Sequence, residues 1–244
     1  MTATQLELER LPAHFRDGLA RLAASLQELA GANLLGLAAF GGALGDDPYY
    51  AQEPAESVAV FERDDLDVLV RLARRGAQLG RRRISAPLVM TPAYIQASLD
   101  SFPLELLEIQ QQHLRVLGQD FFVDLPFDRR HVRLQCEREL KREMIHLRQG
   151  LLAAGGSYAR LYDACQACAS RTLRVLRGVL YLKGIGAPRS VRELVESAAA
   201  AAQMKLDALL RLVSVGDDTG LEGFRGLYHE LAALAERIDA LAVR

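Results

Sequence analysis

Apolar residues near the start of the chain recur at intervals of three and four. The periodic segment begins after Pro12 and ends before Gly31. Proline suits the first turn of a helix and glycine suits the position after its last turn. The spacing therefore predicts an amphipathic helix from Pro12 to Ala30, with an apolar side formed by Phe15, Leu19, Leu22, Leu26 and Leu29.

Short apolar runs follow this helix and predict strands instead. The run from Asn33 to Phe40 ends in Gly41-Gly42, which is typical of a buried strand that enters a tight turn. The segment from Asp64 to Arg74 returns to helical spacing. We therefore expect one mixed sheet covered by helices, with strands near residues 34–40, 57–61 and 84–90.

Beyond Asp128 the apolar residues follow helical spacing only. One long helix is expected to end near Gly155-Gly156, another to stop at Gly184, and Ser190 with Glu193 has the spacing of a helix capping box. The sequence thus predicts an α+β chain with a small mixed-sheet domain over residues 1–127 and an all-α helical bundle over residues 128–244.

Composition and charge narrow the classes of partner. The 30 Lys and Arg residues nearly balance the 31 Asp and Glu residues, so no global field attracts nucleic acid or an anionic membrane. The first residues lack the pattern of a signal peptide, and no apolar stretch reaches the roughly eighteen residues of a membrane span. Three cysteines do not make a disulfide framework. These features favour a cytoplasmic protein without a membrane segment.

The first predicted strand and its turn resemble a known motif. Leu35 to Gly45, with Phe40-Gly41-Gly42 and then Gly45-Asp46, is similar to the glycine-serine turn of the DNA polymerase beta type nucleotidyltransferase superfamily. Residues 86–91, 102–109 and 131–140 also resemble bacterial proteins that join this domain to a helical tail. The resemblance implies an Asp-x-Asp pair on the next strand that holds Mg²⁺ and a nucleoside triphosphate.

The chain departs from that motif at its acidic positions. Glu56 and Val58 stand where the pair is expected, or Ser57 and Ala59 if the register slips by one residue. Gly42 replaces the serine, and residues 84–90 lack the third carboxylate that the resemblance implies. We therefore expect a catalytically degenerate protein that serves as a binding or regulatory module. Gly41 and Gly42 are the candidate nucleotide-binding residues, Glu56 is a remnant metal ligand, and no catalytic residue is assigned.

A literal Asp-x-Asp pair occurs further along, at Asp65 and Asp67. As helix residues, Asp64, Asp65 and Asp67 would meet the dipole of a first turn. On a strand, Asp65 and Asp67 would point the same way and could bind metal. The second interpretation belongs to an alternative function, an active Mg²⁺-dependent enzyme. It would use Glu56 or the Asp65 and Asp67 pair to transfer a nucleoside monophosphate from a triphosphate to a small molecule or a protein.

Several other groupings have a structural and a functional interpretation. Cys165 and Cys168 have metal or redox spacing, but on one helix face they suit core packing. The helical half could bind a protein partner through its exposed face. Two arginine-histidine pairs, Arg142 with His146 and Arg225 with His229, faintly resemble the motif of helical ribonucleases. A group of arginines could bind phosphate or simply be solvated; it consists of Arg74, Arg75 and Arg81 to Arg83.

Overall fold

The computed structural model describes residues 6–214 and 220–241, which divide into two compact units. The first unit contains residues 6–99 and 108–126, and the second contains residues 100–107 together with the described residues from 127 onward. Residues 100–107 thus belong to the later unit although they precede 108–126 in sequence. The domain boundary expected between residues 127 and 128 stays a prediction.

The first unit is built on a four-stranded mixed sheet. The strand order is β3-β2-β1-β4, with β1 antiparallel to both of its neighbours and β2 parallel to β3. The mixed sheet expected from the apolar runs is confirmed. Its strands and helices are α1 (Ala13–Ala30), β1 (Leu34–Phe40), β2 (Glu56–Phe61), α2 (Leu66–Ala73), α3 (Gly76–Gly80), β3 (Leu88–Met90), α4 (Pro92–Ala97) and β4 (His113–Gly118).

The core of this unit lies between α1 and one face of the sheet. The apolar side of α1 is almost fully buried there, as its period of three and four residues requires. Burial of each such leucine or phenylalanine stabilises the fold by about 2 kcal/mol. The residues that form this layer include Phe15, Leu19, Leu22 and Leu26 of α1 and Leu37, Ala39, Ala59 and Phe61 of the sheet.

Two strand predictions differ from the structure. The third strand covers only Leu88–Met90, because Ile84 makes an isolated parallel bridge to Ala55 before the chain pairs regularly. The strand β4 was not predicted. It follows α5 (Pro103–Gln112) with no turn residue between them, so the sequence carries no boundary signal at His113.

The described residues of the second unit form helices joined by loops and contain no strand, as expected for the part of the chain beyond Asp128. In it α6 and α7 pack along each other, and α10 lies against both. The short α9 was not predicted. The helices are α6 (Arg129–Ala154), α7 (Tyr158–Leu182), α8 (Val191–Ala201), α9 (Asp207–Val213) and α10 (Gly220–Asp239).

Local signals set the ends of these helices. Asp128 caps α6 by accepting a hydrogen bond from the Arg130 amide, and the hydroxyl of Ser190 accepts one from the Glu193 amide at the start of α8. Gly155 ends α6 with a φ of +57°, a value that glycine adopts at little cost. Within residues 6–214 and 220–241, no helix is both long and apolar enough to cross a bilayer.

The paired cysteines of α7 are core residues. Cys165 and Cys168 are buried, with exposures of 0% and 1%. Burial raises the pKa of the Cys165 thiol to about 11 and that of the Cys168 thiol to about 12. Both thiols are therefore protonated at neutral pH, which suits packing and not the binding of a metal ion.

Candidate functional site

The candidate nucleotide-binding turn begins where β1 ends, at Gly41. This residue has a φ of +93°, and a Cβ built on it would lie 2.8 Å from Oε2 of Glu56. Glycine is therefore required here both by the backbone and by the neighbouring carboxylate. The Gly41 amide donates a hydrogen bond to the carbonyl of Gln112 at 3.2 Å, which fastens the turn to the start of β4.

The ring of Tyr50 covers the next residue, Gly42. A Cβ built on Gly42 would lie 2.2 Å from Cε2 and 2.5 Å from Cζ of that ring, far inside van der Waals contact. A serine at position 42 would therefore require the tyrosine to move. The departure from the glycine-serine turn has a packing reason that the sequence alone did not indicate.

The loop that carries Tyr50 is held in place at two points. The Asp47 carboxylate accepts a hydrogen bond from the Tyr49 amide at 2.8 Å. Further along, Nη2 of Arg83 donates to the carbonyls of Ala51 and Glu53 at 2.7 and 2.8 Å. Arg83 itself has a φ of +58°, an unusual value for a residue with a side chain. The hydrogen bonds of Asp47 and Arg83 thus hold the loop that places Tyr50 over the turn.

The register of the sheet places the expected metal positions beside the same turn. Glu56 lies opposite Phe40, and Val58 lies opposite Ala38. Glu56 is exposed, whereas Val58 is fully buried. In the alternative register Ser57 and Ala59 are also buried, with 1% and 0% exposure. The strand therefore brings one carboxylate to the turn, that of Glu56.

The second acidic pair lies at the opposite end of the sheet. Because β2 runs antiparallel to β1, its last residue Phe61 pairs with Leu34, and the Asn33 side chain bonds to the backbone of Arg63 just beyond. Asp65 follows and caps α2 by accepting a hydrogen bond from the Val68 amide at 3.0 Å, while Asp67 lies in the first turn. Five residues of β2, or about 16 Å, separate Phe61 at this end from Glu56 beside the turn. Asp64 precedes the cap and is not part of the helix.

A histidine-aspartate pair lies next to the turn and was not identified from the sequence. His113, the first residue of β4, pairs with Phe40. Its Nε2 lies 2.9 Å from Asp120, and its Nδ1 lies 2.9 Å from the carbonyl of Ile109. Both ring nitrogens thus have partners within the protein. Seven residues separate the pair in sequence, and no periodic signal links them.

Each arginine of the two arginine-histidine pairs bonds to a glutamate of its own helix. Arg142 bonds to Glu139 at 3.1 Å, whereas His146 faces Glu143 at 3.4 Å. Arg225 bonds to Glu222 at 2.7 Å. Across the described parts of the chain, no three His, Cys, Asp or Glu side chains are grouped as ligands of one metal ion.

Comparison with known proteins shows the fold. No protein-family model matches the chain, and no curated protein matches it. A solved structure that matches it is the crystal structure of spectinomycin adenyltransferase AAD(9) from Enterococcus faecialis with ATP and spectinomycin. The match has a TM-score of 0.56 and 12% sequence identity, and it covers 91% of this chain and 98% of the other. The chain therefore has a nucleotidyltransferase-type α+β fold with a helical C-terminal region.

Proposed function

We propose that this protein is a catalytically degenerate member of the nucleotidyltransferase-type fold that acts as a binding or regulatory module. The observation that carries the proposal is the pair of positions on β2 beside the glycine turn. One holds Glu56 and the other holds the buried Val58. A nucleotidyltransferase uses paired carboxylates there to hold the metal ions that stabilise the transferred phosphoryl group.

The donor set beside the turn does not fit such a metal centre. Magnesium prefers six oxygen ligands in near-octahedral geometry, and valine supplies none. The pair Asp65 and Asp67 cannot replace the missing ligand, because it lies at the other end of the sheet and Asp65 already caps α2. We therefore assign no transfer step to these residues.

Nucleotide binding at the turn is expected to be weak. A phosphate would compete with the Gln112 carbonyl for the Gly41 amide, and it would meet the Tyr50 ring above Gly42. The carboxylates of Asp46, Asp47 and Glu56 would repel a triphosphate. Any nucleotide that binds at the turn would have to displace Tyr50.

The helical unit supports the binding role with an exposed stripe along α6. Leu134, Ile145 and Leu152 are 45%, 49% and 81% exposed. They are separated by 11 and 7 residues, and so they lie on one side of the helix. We propose this side of α6 as the place where the helical unit would contact a protein partner.

A transfer assay tests the proposal. The purified protein is incubated with each common nucleoside triphosphate labelled at the α-phosphate, with Mg²⁺ or Mn²⁺, and with mixed small-molecule and protein acceptors. We expect no label in any acceptor beyond that seen with a Glu56→Gln variant. Transfer that is lost in Glu56→Gln would establish the alternative, an active enzyme with a single-carboxylate site, because the Glu56 carboxylate lies against Gly41.

A further inference from the structure

A groove of about 400 Å³ lies between α1 and the α2–α3 segment of the first unit. None of the residues of the Gly41–Gly42 turn lines it. The groove is rich in arginine, and its lining residues are Arg21, Ala24, Ser25, Glu28, Arg75, Gln78, Leu79 and Arg82.

Carboxylates hold the three guanidinium groups of this groove in position. Arg75 donates to both oxygens of Glu28 at 2.9 and 2.7 Å. Asp17 accepts hydrogen bonds from Arg21 and from Arg82, each at 3.0 Å. The hydrogen bonds from Arg75 keep the pKa of Glu28 below its ordinary value. The arginines are therefore cations paired with carboxylates on a solvated surface.

The charge balance of the groove favours an anion. Three guanidinium groups face two carboxylates, which leaves a net positive charge. Each guanidinium carries five N–H donors in a planar fork, and the pairing with Glu28 uses two of those on Arg75. Side chains of Arg75 and Arg82 are about one third exposed, so a ligand can reach them.

We propose that this groove binds a small molecule that carries a phosphate or diphosphate group. Planar guanidinium forks match the oxygens of phosphate, which a point charge such as an ammonium group does not. The volume lies within the range of small-ligand sites. Ser25 and Gln78 add neutral polar groups at the wall, and Leu79 and Ala24 add apolar surface for the rest of the ligand.

Titration of the full chain with inorganic pyrophosphate, without a metal ion, tests the proposal by calorimetry. We expect saturable binding that weakens by about tenfold in Arg75→Gln and in Arg82→Gln. The matched controls are Arg74→Gln and Arg81→Gln, which remove the same charge from adjacent positions that do not line the groove. Each control should change the dissociation constant by less than about twofold.

A further variant separates ligand binding from structural support. In Glu28→Gln the side chain can still accept a hydrogen bond from Arg75, but the competing negative charge is gone, so pyrophosphate should bind about threefold more tightly. Absence of saturable binding, equal weakening in all four arginine variants, or weaker binding in Glu28→Gln would overturn the proposal. The proposal would also be overturned if single-stranded RNA bound more tightly than pyrophosphate and lost as much affinity in Arg74→Gln and Arg81→Gln as in Arg75→Gln and Arg82→Gln. That result would favour an extended nucleic-acid surface.

Discussion

The ring of Tyr50 occupies the space in which any side chain at position 42 would stand. Position 42, where the resemblance implies a serine, is therefore the position that the tyrosine covers. Gly42 and Tyr50 are both half-buried, and the ring stands over backbone that a phosphate-binding turn would have to present to a ligand.

The replacement Gly42→Ser should destabilise the protein by about 1–3 kcal/mol, because the new Cβ meets the Tyr50 ring and forces it aside. Urea denaturation gives the free energy of unfolding. The double variant Gly42→Ser with Tyr50→Ala should recover part of that loss, since the space is then available. If the changes in the free energy of unfolding caused by Gly42→Ser and Tyr50→Ala simply add in the double variant, the contact between these residues does not cause the loss of stability.

The role of Asp65 can be separated from metal binding by two substitutions. Asp65→Ala should cost about 1 kcal/mol of stability, because the hydrogen bond to the Val68 amide is lost, whereas Asp65→Asn should cost much less, since asparagine is also a good helix cap. Thermal or urea unfolding measures both. Equal losses in the two variants would contradict the capping role.

The buried carboxylate of Glu143 should depend on Arg171. Glu143 is 1% exposed and accepts hydrogen bonds from Arg171 at 2.7 and 2.8 Å. We expect Arg171→Met to cost about 2 kcal/mol, a value reduced from that of a fully buried pair because half of the arginine side chain faces solvent. The control Arg160→Met, at an exposed position of the same helix, should be nearly neutral.

A double-variant cycle then identifies the source of that cost. If the cost comes from an unpaired buried charge, adding Glu143→Gln to Arg171→Met should restore stability relative to Arg171→Met alone. Further destabilisation on adding the second substitution would show that Arg171 acts through packing.

Glu230 should make stability depend on pH above 4.5. Burial raises the pKa of its carboxyl from 4.5, although the side chain accepts hydrogen bonds from the amides of Ala208 and Leu209 at the start of α9. The folded protein therefore binds this proton more tightly than the unfolded chain. The stabilisation is complete below 4.5 and is lost as the pH rises through the folded pKa.

Urea denaturation at several pH values from about 4 to 7 measures this dependence. Glu230→Gln cannot ionise and should flatten the fall in stability with pH. The control Glu236→Gln, at an exposed position of the same helix, should keep the slope of the original protein. An unchanged slope in Glu230→Gln would show that this carboxyl does not contribute.

Elements with a clear period or boundary could be predicted from the sequence. The helix from Pro12 to Ala30 was predicted within one residue of α1, because one side of it is apolar and Gly31 ends it. The strand β4 was missed because a helix runs into it at His113 without a glycine or proline. Its position in the sheet depends on pairing with β1, which is far away in sequence.

The site was predictable only in part, for a similar reason. The glycine turn and the substitutions at Glu56 and Val58 are local in sequence, and the structure places them side by side. The position of Tyr50 over Gly42 depends on a loop that Arg83 holds from about 30 residues away in sequence. The spacing of apolar residues gives no sign of such a contact. The His113–Asp120 pair likewise exists only because β4 lies next to β1.

Calorimetric titration of ATP into the protein, with and without Mg²⁺, tests the degenerate assignment most directly. Because Glu56 is the one carboxylate that β2 brings to the turn, Mg²⁺ should not strengthen ATP binding, and Glu56→Gln should leave or slightly raise the affinity by removing a negative charge. Tight binding that requires Mg²⁺ and disappears in Glu56→Gln, or in the double variant Asp65→Ala with Asp67→Ala, would contradict the account.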